Sequence, residues 1–345
     1  MEALRLTAWK HDPEIQEVPA PEAGPGQVVV RIGGAGACHS DLHLMHDFED
    51  GVLPWGPPFT LGHENAGWVD AVGAGVTSVE VGEPVAVYGP WGCGRCRRCR
   101  MGMENYCERQ AQLGAAGGGL GLDGGMAERM LVPDARLLVP LGDLDPVEAA
   151  PLTDAGLTPY HAIARSRHLL VPGSTAVVVG VGGLGHMAVQ ILKAISSATV
   201  VAVDQSDVAL SLARDIGADH AVRSGPDAQA EVMEATGGRG AELVLDVVGV
   251  DATLALAAAV VGQVGHLTIL GIGGGTLPVS FFGLPYEAAV ATTYWGTVPE
   301  LFEVVALASR GLIRPTVHRV GLDGAVDAYE RMAAGTVEGR VVVVP

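Results

Sequence analysis

The feature that most constrains the fold is a glycine-rich turn between a short apolar run and a helical stretch. Ala176–Val179 is an uninterrupted apolar run, and Gly180-Val181-Gly182-Gly183-Leu184-Gly185 follows it directly. The helical stretch Leu184–Ile195 and a second apolar run, Val200–Val203, come next. Strands that are apolar throughout and alternate with helices form parallel sheets covered on both faces. This part of the chain is therefore predicted to be an α/β domain with a doubly wound parallel sheet.

A turn of this kind between a strand and a helix predicts a site for the pyrophosphate of a dinucleotide. The first glycine permits the tight turn, the second lets the backbone approach the phosphates, and the third packs the helix against the strand. Asp204 ends the second apolar run, where its carboxylate would bind the adenosine ribose hydroxyls and repel a 2′-phosphate. No arginine follows it closely, so NAD is predicted as cofactor and not NADP. The predicted cofactor-binding residues of the motif are Gly180, Gly182, Gly183, Leu184 and Gly185.

The first 150 residues have a different pattern, with short strands broken by glycine and proline. Examples of these strands are Gln27–Ile32, Ala66–Val72 and Pro84–Val87. Closely spaced turn signals between such strands favour a partly open antiparallel barrel. After residue 293 the pattern changes again, to a predicted helix at Glu300–Ser309 and a final strand at Val341–Val344. The sequence therefore predicts a mostly-β part, an α/β part and a C-terminal segment.

Charge and hydropathy exclude several classes of protein. The formal net charge is −18, which makes the chain a poor partner for nucleic acid or anionic membranes. No apolar stretch reaches the ~18 residues that a membrane-spanning helix needs. The N-terminal residues do not follow the pattern of a secretory signal. We therefore expect a cytoplasmic protein with no nucleic-acid or membrane partner.

Four of the five cysteines lie close together, at the spacings that surround one tetrahedral ion. In a chain without a secretory signal, this clustering favours a metal over disulfides. Four thiolates leave no open coordination position, so the predicted ion is a structural zinc. Its predicted ligands are Cys93, Cys96, Cys99 and Cys107.

A second group of metal-binding residue types is spread along the chain. Cys38 lies in what we interpret as a turn region, and His63 lies in another. With four cysteines assigned to the first ion, a third protein ligand here must be a carboxylate or another histidine. Asp154, at the start of the α/β part, is one candidate. Three protein ligands would leave the fourth position open, as in a catalytic zinc site. Two zinc ions per chain are therefore predicted.

At these residues the chain resembles the zinc-dependent alcohol dehydrogenases of the medium-chain dehydrogenase/reductase family. The resemblance covers essentially the whole chain and includes Gly62-His63-Glu64-x2-Gly67, the four-cysteine segment and the Gly180 motif, in that order. Stretches such as Pro151–His161 and Tyr294–Thr297 are most similar to bacterial secondary-alcohol dehydrogenases of actinobacterial type.

The resemblance implies two domains with the active site in the cleft between them. A GroES-like catalytic domain would span 1–153, with the structural zinc lobe at about 90–110. A Rossmann domain that binds NAD would span 154–292, and 293–345 would return to the catalytic domain. The family further implies an NAD-dependent oxidoreductase that forms a homo-oligomer, a tetramer in preference to a dimer.

The resemblance also implies roles for individual residues. Cys38, His63 and Asp154 would bind the catalytic zinc, with Glu64 beside the ion as an alternative or transient ligand. Alcohol dehydrogenase is the established example of a catalytic zinc held by two cysteines and one histidine. This chain departs from that example, because Asp154 stands where the third ligand is cysteine.

Further family positions fall on polar residues near these ligands. Ser40 would contact the substrate oxygen, and His43 would be the distal histidine of a proton relay. His39 and Arg340 would approach the cofactor pyrophosphate, and Thr158 would lie beside the nicotinamide.

Bulky apolar residues near the matched pocket positions favour hydrophobic secondary or aryl-alkyl alcohols as small-molecule substrates. Each of them could equally be an ordinary core residue. They are Trp55, Leu120, Phe282 and Trp295. The alternative function is a polyol or sugar dehydrogenase on the same fold. A zinc-ribbon nucleic-acid-binding protein is a distant alternative, which the net charge and the dinucleotide motif disfavour.

Overall fold

Short strands separated by glycine and proline turns form most of the first of two units into which the chain divides. A computed structural model describes residues 1–345. The first unit comprises residues 1–157, 297–311 and 315–345. The second unit comprises residues 158–296 and 312–314. The structure thus assigns Asp154 to the first unit, whereas the predicted domain boundary placed it at the start of the second.

The N-terminal part of the first unit contains ten strands and three short helices. In chain order they are β1 (Glu2–Leu6), β2 (Glu14–Glu17), β3 (Val28–Gly36), α1 (His39–His46), β4 (Phe59–Thr60), β5 (Glu64–Val72), β6 (Pro84–Val87), α2 (Arg97–Arg100), β7 (Gly117–Gly118), β8 (Gly121–Leu122), β9 (Arg129–Val132), β10 (Leu138–Pro140) and α3 (Pro146–Ala149).

The second unit alternates helices and strands. Its elements are α4 (Leu157–Ser166), β11 (Thr175–Val179), α5 (Gly185–Ile195), β12 (Thr199–Asp204), α6 (Asp207–Asp215), β13 (His220–Arg223), α7 (Ala228–Ala235), β14 (Ala241–Asp246), α8 (Asp251–Val260), β15 (Val261–Ile269) and β16 (Ala289–Thr292). The chain then returns to the first unit with α9 (Val298–Ser309), β17 (Val317–Gly321), α10 (Ala325–Ala333) and β18 (Arg340–Val344).

A seven-stranded sheet forms the centre of the first unit, with β9 beside β3 and the remaining strands in the order β10-β6-β5-β3-β18-β17. Strand β3 begins with three buried valines, whose branched side chains suit a strand packed on its neighbours. Gly36 at its end lies opposite Glu64 in the register with β5. A side chain at Gly36 would collide with the Glu64 carboxylate, so glycine here makes room for a buried acid.

The second unit is a six-stranded parallel sheet with the order β13-β12-β11-β14-β15-β16. This is the doubly wound order in which ligands bind at the carboxyl ends of the central strands. The core of this sheet is built from buried β-branched and leucine side chains, which include Val177, Val201, Val244 and Leu267. The predicted α/β fold with a parallel sheet and a second, mostly-β part is therefore confirmed.

One local prediction was wrong. The segment around Cys38 was predicted to be a turn region, whereas the structure continues it as helix α1. Cys38 is the N-terminal cap, and its backbone N–H donates to the Asp41 carboxylate at 2.9 Å. This capping bond and the burial of Leu42, Leu44 and Met45 hold the helix in place. None of the helices in the chain is long and apolar enough to cross a membrane.

Candidate metal and dinucleotide sites

Four buried side chains of the first unit converge on one point. They are Cys38, His63, Glu64 and Asp154, and one ligand atom from each lies within 4.8 Å of the others. Cys38 Sγ is 3.7 Å and His63 Nε2 is 3.8 Å from the same oxygen, Asp154 Oδ2. Thiolate, imidazole and carboxylate are the ligand types that zinc takes in proteins. The donor set therefore fits a zinc ion with mixed ligands.

These ligands come from elements that end beside one another. Cys38 caps α1, His63 immediately precedes β5, and Asp154 ends a short 3₁₀ helix at Ala150–Thr153. Asp154 does not cap the helix that follows it, because α4 begins only at Leu157. The Asp154 carboxylate instead faces the thiol and the imidazole.

Asp41 is a site residue that sequence reasoning missed. Its Oδ1 lies 3.1 Å from His63 Nδ1, and both side chains are fully buried. Its Oδ2 accepts hydrogen bonds from the Tyr329 hydroxyl at 2.7 Å and from the Cys38 backbone N–H. A carboxylate on Nδ1 fixes the histidine ring and directs Nε2 toward a metal. The available signal was its position three residues after Cys38, at the N-terminus of a helix.

Buried charges around the cluster shift the pKa of His63. Burial lowers this pKa, but the charge of Asp41 and hydrogen bonds to Asp154, Asp41 and Cys38 outweigh burial and raise it well above its ordinary value. The cluster therefore attracts positive charge at the imidazole. A metal cation bound at Nε2 would have the same electrostatic effect as a proton there, because either one offsets the negative charge of the nearby carboxylates.

Glu64 is fully buried and pairs with Arg340 through two hydrogen bonds, one of them from Nε to Oε2 at 2.9 Å. Burial raises the pKa of Glu64 to about 7, although the Arg340 charge acts in the opposite direction. Arg340 also lies 3.7 Å from Asp154 Oδ2. The family resemblance assigns Arg340 to the cofactor pyrophosphate, whereas here its guanidinium is buried against the two acids.

Three polar residues of α1 lie beside the cluster. Ser40 is half-buried, and its Oγ is 3.4 Å from His63 Nε2. His43 lies one helical turn farther along, half-buried, and its Nδ1 contacts the Asp47 carboxylate. His39 is exposed in the first turn, with its ring 6.0 Å from that of His43. A substrate hydroxyl near Ser40 would therefore have histidines between it and solvent.

The four remaining cysteines form a second cluster with a different chemistry. Their sulfur atoms lie within 4.8 Å of one another, with Cys96 Sγ and Cys99 Sγ 3.3 Å apart. All five cysteines of the chain are free of disulfides. A set of four thiolates fits a closed, tetrahedral zinc site.

Backbone amides support part of this thiolate cluster. The N–H groups of Cys96 and Cys99 donate to Cys93 Sγ and Cys96 Sγ at 3.3 and 3.4 Å. A hydrogen bond from the Arg95 backbone lowers the pKa of the Cys93 thiol to about 6. Burial raises the pKa of Cys99, and its hydrogen bond to Glu104 acts in the same direction. Backbone amides thus favour the thiolate forms of Cys93 and Cys96, whereas burial disfavours those of Cys99 and Cys107.

The glycine-rich turn of the second unit has the geometry of a phosphate cradle. Gly180 has a φ of 94°, which favours glycine, and a side chain at Gly185 would collide with the Gly180 carbonyl. A side chain at Gly182 would meet nothing within 4 Å, so open space remains above this backbone. Helix α5 begins at Gly185, and its N-terminal amides face the turn. The turn therefore fits a dinucleotide pyrophosphate.

Asp204 ends β12 beside this turn, and backbone amides hold its carboxylate. Its Oδ2 accepts from Val181 N–H at 2.7 Å, and its Oδ1 accepts from Ser206 N–H at 2.8 Å. Thr158, also assigned to the cofactor, is buried in the first turn of α4. The carboxylate is therefore fixed at the position where an adenosine ribose would lie.

The predicted pocket residues lie in different surroundings. In the first unit, Trp55 packs against Phe59 with ring centroids 5.8 Å apart, and Leu120 is buried. In the second unit, Trp295 packs against Tyr294, whereas Phe282 is 87% exposed. Within its own unit, Phe282 therefore lines no enclosed pocket.

Comparison with known proteins gives matches along nearly the whole chain. Residues 24–143 match the family described as "Alcohol dehydrogenase GroES-like domain", and residues 183–310 match "Zinc-binding dehydrogenase". The chain is 35% identical to an NAD-dependent alcohol dehydrogenase of Sulfurisphaera tokodaii, over 100% of both chains. It is 34% identical to a D-arabinose 1-dehydrogenase (NADP(+)) of Saccharolobus solfataricus, over 99% of this chain and 97% of that one.

A solved structure is similarly close. The alcohol dehydrogenase of the archaeon Aeropyrum pernix superposes with a TM-score of 0.92 at 39% identity, over 100% of both chains. The actinobacterial resemblance expected from the sequence is not confirmed by these comparisons.

The thiolate cluster predicts the effect of Cys99→Ser. Because a structural zinc contributes folding free energy directly, this variant should lose one of two zinc ions and melt at a lower temperature. Elemental analysis and thermal unfolding measure both. Arg97→Gln, an exposed change on the same short helix, is the matched control and should alter neither. Unchanged melting of Cys99→Ser with two zinc ions retained would contradict the structural assignment.

The contact between Asp41 and His63 predicts that Asp41→Asn loosens the metal of the Cys38 cluster. The asparagine amide would donate to His63 Nδ1, which leaves the proton on Nε2, where the metal should bind. Loss of such an outer partner costs ~10–100-fold in metal affinity. Zinc content after timed chelator exposure tests this, with Asp47→Asn, an exposed change at the C-terminal cap of the same helix, as control. Equal zinc retention in both variants would refute the positioning role.

Proposed function

The chain belongs to the zinc-binding alcohol dehydrogenases with a GroES-like domain, and we propose that it interconverts alcohols with ketones or aldehydes by hydride transfer with NAD. The observation that carries the proposal is the buried convergence of Cys38, His63 and Asp154 next to the Ser40 hydroxyl. This arrangement supplies a metal-binding set and a proton-accepting hydroxyl at one point. The glycine-rich turn supplies the cofactor site in the same chain.

Each residue of the first unit then has a defined task. Cys38, His63 and Asp154 would hold a zinc ion, which would polarise a substrate oxygen as a Lewis acid. Asp41 contacts His63 Nδ1 and so leaves Nε2 directed toward the other ligands. Ser40 Oγ would accept the proton of the substrate hydroxyl as it releases its own hydroxyl proton, and His43, which contacts Asp47, is the proposed acceptor of that proton on the way to solvent. Glu64, paired with Arg340, would offer a further carboxylate near the zinc ligands.

The second unit binds and orients the cofactor, which supplies the hydride acceptor. We assign Gly180, Gly182 and the amino end of α5 to the pyrophosphate, and Asp204 to the adenosine ribose. The fixed carboxylate of Asp204 supports NAD in preference to NADP, since it would face a 2′-phosphate with like charge. His39 and Thr158 remain assigned to the cofactor as proposals from the family positions.

For the substrate we propose hydrophobic secondary or aryl-alkyl alcohols, supported by the apolar character of Trp55, Leu120 and Trp295. A polyol or sugar dehydrogenase is the second candidate, because one full-length relative is described as a D-arabinose 1-dehydrogenase. Sugar binding needs several buried polar partners for the hydroxyl groups, because each unpaired polar group costs binding free energy. The side chains of Trp55, Leu120 and Trp295 offer few such partners.

Initial rates across a substrate panel test the proposed function. The panel contains aryl-alkyl and aliphatic secondary alcohols, primary alcohols, polyols and aldoses, each with NAD⁺ and with NADP⁺. We expect the highest kcat/KM for hydrophobic secondary alcohols with NAD⁺. Higher values for aldoses would favour the sugar dehydrogenase, and no oxidation of any member would overturn the dehydrogenase function for these substrates.

We also propose a homo-oligomer in the cytoplasm. An edge strand, β16, adjoins a segment with exposed apolar side chains, of which Phe281 and Phe282 are 75% and 87% exposed and Tyr286 is 59% exposed. Unpaired strand edges and exposed aromatic clusters are typical of contacts between chains. A second copy covering this surface is the simplest occupant, in a dimer or a tetramer. Five free cysteines, four of them at one metal site, support a reducing compartment.

The ligand assignment of Asp154 predicts the behaviour of Asp154→Asn. A neutral amide oxygen is a much weaker zinc ligand than a carboxylate, so turnover should fall by orders of magnitude and one zinc should become labile. The thiolate site and NAD⁺ binding should persist, because neither uses this side chain. Asp154→Cys restores a zinc-binding thiolate and should recover part of the activity. Two firmly held zinc ions with near-normal turnover in Asp154→Asn would remove Asp154 from the ligand set.

A further inference from the structure

A cation that the local sequence does not reveal lies next to Asp204. Arg223 ends β13, the strand that pairs in parallel with β12, and it is the register partner of Asp204. The three residues directly after Asp204 are Gln205, Ser206 and Asp207, and none of them is an arginine. The sheet nevertheless brings a guanidinium to the edge where the adenosine ribose would lie. Side chains at this edge contact whatever occupies the ribose position.

Two contacts turn the Arg223 guanidinium toward the start of α6. Its Nη1 donates to the Gln205 carbonyl at 2.6 Å, and its Nη2 donates to Asp207 Oδ2 at 2.9 Å. Both side chains are well exposed, at 56% for Arg223 and 81% for Asp207. Exposed ion pairs of this kind are weak, so a stronger anion can displace the carboxylate.

The anion that would compete is a 2′-phosphate on the adenosine ribose. A guanidinium binds phosphate through two parallel hydrogen bonds, and these charge-assisted bonds are stronger than those to neutral acceptors. Two carboxylates oppose that outcome here. Asp204 would meet the phosphate with like charge, and Asp207 occupies one side of the guanidinium.

We propose that Arg223 and Asp207 form a pair that discriminates between cofactors, in addition to Asp204. The sheet places the Arg223 guanidinium beside Asp204, and Asp207 prevents this guanidinium from binding a 2′-phosphate. The inference rests on the proposed NAD function of this site. The proposal goes beyond the role of Asp204 in two ways. Both Asp204 and Asp207 act against NADP binding, and Arg223 could bind the 2′-phosphate of NADP once it is released from Asp207. Removing the charge of Asp204 alone therefore leaves the Arg223 guanidinium paired with Asp207.

Calorimetric titration with two small nucleotides tests the pair without any need for turnover. Adenosine 2′,5′-bisphosphate carries the 2′-phosphate and adenosine 5′-monophosphate lacks it, so the ratio of their Kd values isolates that group. The variants are Asp204→Asn, Asp207→Asn, the double variant, and the double variant with Arg223→Gln. Arg239→Gln added to the double variant is the matched control, since Arg239 is also exposed in this unit and donates to a backbone carbonyl.

We expect the double variant to favour the bisphosphate by ~10-fold or more over Asp204→Asn, since charge-assisted hydrogen bonds to phosphate are roughly twice as strong as neutral ones. Adding Arg223→Gln should abolish that gain, whereas adding Arg239→Gln should preserve it. Across the variants, the Kd of NADP⁺ should change in the same direction as the Kd of the bisphosphate. The Kd of NAD⁺ should change in the same direction as the Kd of the monophosphate. A gain that survives without Arg223, or no gain after both carboxylates are neutralised, would overturn the proposal. If the wild-type protein binds NAD⁺, the proposed function stands whatever the variants show. If it binds neither NAD⁺ nor NADP⁺, both the proposed function and the role of Arg223 and Asp207 are overturned.

Discussion

The buried pair of Glu64 and Arg340 is the interaction on which the first unit most depends. It joins the first residue of β5 to the first residue of β18, 276 residues apart in the chain. Gly36 leaves the space that the carboxylate fills. Removing either partner of such a buried pair leaves an uncompensated charge, which costs more than the pair itself contributes. This contact spans the end of β3, the strand between β5 and β18, and it brings a charged network against the candidate metal ligands.

That network explains how one buried volume tolerates several acids. Asp41, Glu64 and Asp154 lie around His63 and Cys38, and Arg340 is the cation among them. Buried carboxylates persist when each has a hydrogen-bond donor or a cation. Tyr329 and the Cys38 amide satisfy Asp41, whereas Asp154 faces ligand atoms. A divalent ion among these ligands would offset part of the remaining negative charge.

In the second unit, backbone amides provide the hydrogen-bond donors for a carboxylate. Asp204 is held by two N–H groups and not by a cation, so its carboxylate keeps its full charge toward a ribose. The nearest cation on the adjacent strand is engaged elsewhere. Selectivity for a cofactor then depends on which charged side chains stand at the sheet edge, and on which of them are already paired with other groups of the protein. The two units thus use fixed charges differently, one to hold a metal and the other to exclude a phosphate.

Local patterns in the sequence were sufficient for the parallel sheet, the glycine-rich turn and the four-thiolate cluster. Each depends on residues close together in the chain, such as Cys93 to Cys107, so spacing alone carries the geometry. The catalytic cluster needed family resemblance, because Cys38, His63 and Asp154 are far apart in sequence. Only the tertiary structure revealed the roles of Asp41 and Arg223. Their partners are set by a helix cap and by strand register, and both depend on backbone hydrogen bonds that a residue pattern does not specify.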